Sequence, residues 1–348
     1  MKKSLIVIGA LFIMSSIFVI SCGGGGASSS TTVDGPTIGV TIYRYDDNFM
    51  SFLRRNIENV IKGKANLIMN DSQNNQAQQN DQVDVMLQKD SKALAINLVD
   101  PQAAQTIIDK AKAKDIPVIF FNKQPSAEAM ASYDKTWYVG TKPEESGDMQ
   151  GKIVVDTWKA DAALDKNGDG IIQYVLLKGE PGHPDAEART SHVTLYITNN
   201  GLKVEKLEEQ TAMWDTAKAK DIVDAWIQKH GDKIEYIFCN NDAMALGALQ
   251  SIQALGYNKG DPAKFIPIVG VDAIPDMLNE IKKGTVVGSV LNDPVGQAQA
   301  LVDLTLNAAA GKDPLDGNTW TLDEFKAVRV PYVPITKNNI NVAEEAYK

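Results

Sequence analysis

From residue 37 to residue 291 the chain alternates short apolar runs with longer amphipathic stretches, and that alternation admits few folds. The apolar runs cover 37–43, 66–69, 93–99, 118–121, 172–177, 236–239, 266–271 and 286–291. They are short and continuously apolar, the pattern of strands with no wet face. Between them lie helical stretches, among them 48–61, 77–88, 101–113, 144–163, 216–229 and 242–254. Buried strands linked by helices pair in parallel and are covered on both faces, which predicts an α/β fold. At 348 residues the chain is long for one domain, so two lobes are expected.

In open parallel sheets, ligands bind at the carboxyl ends of the strands. Here those ends repeat one chemistry. Run 37–43 leads into Tyr45-Asp-Asp-Asn-Phe49. Run 93–99 contains Asn97 and ends at Asp100. Run 236–239 meets Asn240-Asn241-Asp242, run 266–271 meets Asp272, and run 286–291 meets Asn292-Asp293. One Asp or Asn in such a place caps a helix. Five together exceed what capping needs and predict a ring of amides and carboxylates along one sheet edge. No G-x-G-x-x-G follows a strand and no G-x-x-x-x-G-K-[ST] occurs, which argues against a nucleotide. A neutral polyhydroxylated molecule fits better, since Asp and Asn accept and donate around hydroxyl groups. Phe49 lies beside the first acidic cluster, and Trp214 sits in a polar loop before a helix. Each suits either packing or an apolar ligand face.

Two further segments carry chemistry. In Gly179-Glu-Pro-Gly-His-Pro-Asp-Ala-Glu-Ala-Arg189, the Gly/Pro lead-in sets a helix start, and Asp185 and Arg189 share a helical face. The run reads either as a capped helix with an ion pair or as a guanidinium held in place for a ligand. In Asp165-Lys-Asn-Gly-Asp-Gly-Ile-Ile-Gln173, oxygens fall at Asp165, Asn167, Asp169, the Ile171 carbonyl and Gln173, with Gly170 at the sixth position. That is the first part of a calcium loop, or a polar turn. Leu176 stands where an EF-hand needs its bidentate carboxylate, so an EF-hand is excluded and that ligand must come from elsewhere.

At the start of the chain, Lys2 and Lys3 precede an apolar run from Leu5 to Ile20, followed by Ser21-Cys22 and a Gly/Ser/Thr-rich stretch. This reads as an export signal over 1–21 and a flexible linker over 22–35. Cys22 after a small residue resembles a bacterial lipobox, which implies cleavage before Cys22 and its lipidation. The alternative is an uncleaved membrane anchor. Cys239 lies in an apolar run and is expected to be a buried, inert thiol. With 44 Asp+Glu against 35 Lys+Arg and no basic tract, nucleic acid is not an expected partner.

From residue 36 onward the chain closely resembles the periplasmic glucose/galactose-binding proteins of bacterial ABC transporters. The resemblance is carried by residues 38–50 (IGVTIYRYDDNFM), 69–82, 92–101 (KALAINLVDP), 120–123, 176–189, 211–216, 240–245, 270–273, 290–293 and 328–334 (VRVPYVP). It implies two Rossmann-like lobes joined by three crossings, the periplasmic binding protein type I arrangement. The lobes are expected at 36–117 plus 294–329, and at 118–293 plus 330–348. It also implies a sugar site in which Phe49 and Trp214 sandwich the ring. Asp47, Asn97, His183, Asp185, Arg189, Asn241, Asp272 and Asn292 would hydrogen-bond the hydroxyls. Glu235 becomes the missing calcium carboxylate. D-glucose and D-galactose are the expected ligands, an ABC permease the partner and a chemoreceptor a further one. The protein is expected to act as a monomer in the periplasm or at the cell surface, held to a membrane by lipid.

Two rival readings are weaker. A glycoside-cleaving enzyme would need a carboxylate pair from Asp47, Asp185 and Asp272. Arg189 beside Asp185 is expected to keep that carboxyl ionised and so unable to donate a proton. A sugar-responsive transcription factor would need a DNA-binding module where this sequence has an apolar run and a Gly/Ser stretch.

Overall fold

The structure, a computed structural model, describes residues 33–347, so Cys22 and the segment read as an export signal lie outside the described residues. The first part of the chain runs β1 (Thr37–Ile42), α1 (Asn48–Ile61), β2 (Asn66–Asp71), α2 (Gln76–Gln88), β3 (Ala93–Ile96), α3 (Ala104–Lys112), β4 (Val118–Phe121), α4 (Ala127–Ala131) and β5 (Thr136–Gly140). It continues with α5 (Pro143–Ala160), β6 (Ile171–Lys178), α6 (Pro184–Asn199), β7 (Lys203–Thr211), α7 (Thr216–His230), β8 (Tyr236–Cys239) and α8 (Asp242–Ala254). The last part holds β9 (Ile268–Val269), α9 (Pro275–Lys283), β10 (Ser289–Leu291), α10 (Pro294–Ala309), β11 (Ala327–Arg329), β12 (Val333–Ile335) and α11 (Ile340–Ala346).

Strand ends become helix starts by a repeated local device. Asp47, Asn75, Asp215, Asn241 and Asp293 each accept a backbone N–H from the first turn of the helix that follows. Pro opens α5, α6, α9 and α10, where its missing N–H costs nothing.

The strands gather into two parallel sheets, one per lobe. The first has the order β11-β5-β4-β3-β1-β2, the second β7-β6-β8-β9. β10 continues the second sheet through bridges Val269–Gly288 and Asp272–Leu291 and pairs antiparallel with β12. Apolar clusters cover both faces of each sheet, as two-sided burial of the strands requires. The chain crosses between lobes three times: between β5 and α5, between β10 and α10, and between β11 and β12.

The first crossing differs from the boundary expected after residue 117. β4 pairs with β3 and β5 pairs with β4, so residues 118–140 complete the first sheet. An apolar run can join either lobe until its hydrogen-bonded neighbour is known. The edge strand β7 was also invisible as a strand. Its sequence KVEKLEEQT is largely polar because it pairs only with β6 and leaves much of its surface wet. Among the described residues no helix is long and apolar enough to cross a membrane.

Candidate functional site

The carboxyl ends of the strands of both sheets face one cavity. The first lobe contributes Tyr43, Asp47, Phe49, Met50 and Asn122; the second contributes His183, Asp185, Arg189, Trp214, Asn241, Asp272 and Asn292. Nine of the ten residues expected at a sugar site are therefore brought together.

Asn97 is the exception. It is fully buried behind the wall, where its Oδ1 accepts from Tyr43 N (3.0 Å) and its Nδ2 donates to Phe121 O (3.3 Å) and Asn122 Oδ1 (3.1 Å). Asn122 lines the cavity. It directly follows β4 and has φ of 62°, a left-handed conformation that Asn tolerates better than most residues. The strand-end rule applies to β4 as to the other strands and marks Asn122. The same rule cannot say which of two neighbouring amides reaches the cavity.

Each wall residue is held by its own local structure. Asp47 caps α1 through Oδ1, and its Oδ2 accepts from the Tyr43 hydroxyl at 2.6 Å. Asn241 caps α8 with its carbonyl oxygen, at 2.9 Å from Met244 N. Asn292 donates to Asp272 Oδ1 (3.2 Å) and accepts from Gln297 (2.6 Å). His183 caps α6, its Nδ1 accepting from Asp185 N at 3.1 Å. That bond assigns the ring proton to Nε2, leaving a neutral donor. Burial, then Lys123 and Arg189, hold His183 well below its ordinary pKa and keep it neutral.

Arg189 is only 3% exposed. Its guanidinium donates to Ser146 Oγ (3.2 Å), Asn240 O (2.8 Å), Asp185 Oδ2 (3.0 Å) and the Tyr332 hydroxyl (2.9 Å). The partners come from α5, the end of β8, α6 and the third crossing, so the guanidinium plane is set before any ligand arrives. Burial raises the Asp185 carboxyl above its ordinary value and the adjacent Arg189 pulls it back. Asp272, at φ of 117°, is pushed up to about 7, first by burial, with Arg189 and Asn292 opposing.

Trp214 and Met213 both have positive φ (64° and 55°), an unusual pair that turns the indole into the cavity. A Cβ at Gly179 would collide with that ring, so the first glycine of the 179–189 run leaves room for Trp214. The His183 ring meets the indole edge-on at 5.3 Å. Phe49 and Trp214 thus present aromatic surface from the two lobes, with hydrogen-bonding groups around them. The lobes also touch outside the cavity. Lys123, 1% exposed, bonds Glu180 at 2.7 Å, and Arg44 reaches Met213 O at 3.4 Å.

The loop 165–173 is a second polar cluster. Asp165 accepts from the backbone of Gly168, Asp169 and Gly170. Asp169 Oδ2 accepts from Asn167 (3.1 Å) and Gln173 (2.9 Å). Glu235, 1% exposed and just before β8, closes the loop, accepting from Lys166 N (2.8 Å) and Gln173 N (3.1 Å). No cation pairs with it among the ion pairs of the described residues. Nor do three His, Cys, Asp or Glu side chains converge as a metal cluster among them. An ion here would draw on amide and backbone oxygens beside the carboxylates.

Residues 38–313 match the family described as the periplasmic binding protein domain. The chain is 54% identical over 306 residues to the D-galactose/methyl-galactoside binding periplasmic protein of Haemophilus influenzae, covering 87% of this chain and 90% of that protein. It is 26% identical to a putative rhizopine-binding protein of Rhizobium meliloti over 89% of this chain and 93% of the relative. A solute binding protein from Bacillus halodurans, solved with bound myo-inositol, has the same fold. It superposes with a TM-score of 0.74 at 24% identity, covering 90% of this chain and 98% of the other.

Proposed function

The chain belongs to the periplasmic binding protein domain family, and from that premise we propose that it captures D-galactose and D-glucose outside the cytoplasm and hands them to an ABC permease. The observation that carries the reading is the cavity itself, where aromatic surface from each lobe meets a rim of fixed polar groups. A pyranose has apolar C–H faces and a polar edge. Phe49 and Trp214 match the faces. Asp47, Asn122, His183 Nε2, Asp185, Arg189, Asn241, Asp272 and Asn292 match the edge. A ligand lacking a hydroxyl leaves one of these groups buried and unpaired, which rejects it.

Each lobe supplies part of the contacts, so sugar binding favours the closed arrangement and the permease reads that shape. A chemoreceptor reading the same shape, action as a monomer, and a lipid anchor at Cys22 belong to the same proposal. No glycoside turnover is expected, since Asp47, Asp185 and Asp272 are each hydrogen-bonded to neighbouring wall groups. Hydrolysis of a galactoside that disappears in Asp185→Asn would overturn that part. Titration calorimetry with D-galactose and D-glucose tests the whole: heat of binding is expected with at least one, and silence with both sinks the reading.

We further propose that loop 165–173 with Glu235 holds a structural calcium ion. The donors are Asp165, Asn167, Asp169, the Ile171 carbonyl, Gln173 and Glu235. The fit rests on Glu235, a buried carboxylate whose hydrogen bonds go to backbone N–H groups rather than to a cation. It rests also on two amides that present oxygen once their end groups turn over.

A further inference from the structure

α11 packs on the second lobe through Ile340 and Ala343, which belong to the same apolar cluster as Trp214, Ala273 and Leu291. Tyr347 follows this helix. Its hydroxyl donates to the backbone carbonyl of Asp272 at 2.8 Å. Its ring meets the ring of Phe52 edge-on, with centroids 5.0 Å apart and planes at 84°. Phe52 belongs to α1 of the first lobe, three residues after Phe49, yet it packs against the apolar cluster of the second lobe. The Arg55 guanidinium lies over the Phe52 ring, 4.7 Å from its centroid. One side chain therefore touches the helix that carries Phe49 and the turn that carries Asp272.

From this geometry we propose that Tyr347 is a positioning residue for the cavity, a strut between lobes that holds the Asp272 turn and favours the closed state. The inference rests on the sugar-binding function proposed above. Its two contacts do different work. The hydroxyl bond lies within the second lobe and persists whether the lobes are apart or together. It anchors the carbonyl of a residue at φ of 117°, a conformation that needs support from its surroundings. The ring contact spans the lobes and exists only when they meet, so it stabilises the closed form alone. Burial, then the carboxylates of Asp272, Asp242 and Asp293, keep the phenol protonated and a donor. The Lys123–Glu180 pair is a separate tie between the lobes.

Stopped-flow kinetics of galactose binding test this with Tyr347→Ala, Tyr347→Phe, Phe52→Ala and the double alanine variant. Neither residue lines the cavity, so direct contact with sugar is not lost. Tyr347→Ala is expected to speed galactose dissociation by roughly tenfold, about the size of one aromatic pair between the lobes. Association should stay within about twofold. Tyr347→Phe should recover most of the slow dissociation by restoring the ring. The double variant should be no worse than Tyr347→Ala alone, because both remove one contact. Unchanged dissociation in Tyr347→Ala, or additive effects in the double variant, would overturn the strut. A loss of melting temperature with unchanged dissociation would do the same. Wild-type protein that binds neither galactose nor glucose counts against the proposed function instead. Small-angle scattering of the sugar-free protein then decides on the strut: Tyr347→Ala is more expanded than wild type if it holds, and indistinguishable if it does not.

Discussion

The cavity and the 165–173 loop are built from the same residue types and behave in opposite ways. In the cavity, Asp185 and Asp272 are almost wholly buried, and burial lifts both carboxyls above their ordinary range. In the loop, Asp169 is exposed; desolvation is the largest single influence and acts upward, but hydrogen bonds from Ile171 N, Gln173 and Asn167 together outweigh it, and its carboxyl sits below the ordinary range. The cavity pairs its charges with a fixed guanidinium and amides. The loop satisfies its carboxylates with backbone N–H groups and side-chain amides. On the functions proposed above, one region discriminates among neutral molecules and the other gains stability from an ion.

The strongest way to break that contrast is Arg189→Ala. If the cavity depends on its internal charge pairing, removing Arg189 strands Asp185 and is expected to cost about 3–5 kcal/mol of folding stability, with sugar binding lost. Denaturant unfolding measures it; a loss below about 1 kcal/mol would mean that Asp185 simply takes up a proton. Trp214→Ala comes next. Calorimetry is expected to show galactose binding weakened by about 2–4 kcal/mol, the cost of a buried aromatic anchor. An affinity near wild type would make Trp214 a packing residue only.

Chelation tests the other region. Removing calcium from the sugar-free protein is expected to lower stability by about 2–3 kcal/mol if the ion is near a hundredfold above its dissociation constant. A melting temperature indifferent to chelator would leave the loop a polar turn. The smallest effect is on pH. Asp272 titrates near 3.8 in an unfolded chain and at about 7 in the folded protein. Between those values the folded sugar-free protein holds a proton that the unfolded chain has released. This residue therefore makes the protein less stable as pH rises through that window. A sugar hydroxyl donating to Asp272 favours the ionised form. Galactose affinity should then rise with pH by at most about tenfold per unit and level off near neutrality. Asp272→Asn should flatten the profile; a flat wild-type profile between pH 5 and 8 would show that the bound sugar accepts the protonated acid.

Much of the fold was legible because burial on both faces leaves a one-dimensional trace, a continuous apolar run bounded by polar residues. β7 escaped for the same reason reversed, since an edge strand with a wet face has no such run. The crossing after β5 escaped because strand pairing is a relation between segments and not a property of one. Most of the cavity was legible because its residues sit where strands end and helices begin. Capping and ligand binding both call for short polar side chains there, and Asp47, His183 and Asn241 face the cavity while capping. Asn97 and Asn122 mark the limit: both follow central strands, and a left-handed turn at one of them decides which reaches the ligand space.

The sequence by itself determined the layered α/β architecture, the polar edge and the polar composition of the 165–173 loop. Local periodicity and residue type depend only on near neighbours along the chain, so they can be read there. Tertiary structure alone decided which sheet claims residues 118–140, that Asn122 lines the cavity while Asn97 is buried against it, and that burial raises the Asp185 carboxyl. It also brought Tyr347 against Phe52, from opposite ends of the described chain. Each of these depends on what packs around a group, and that environment is assembled from segments remote from one another in sequence.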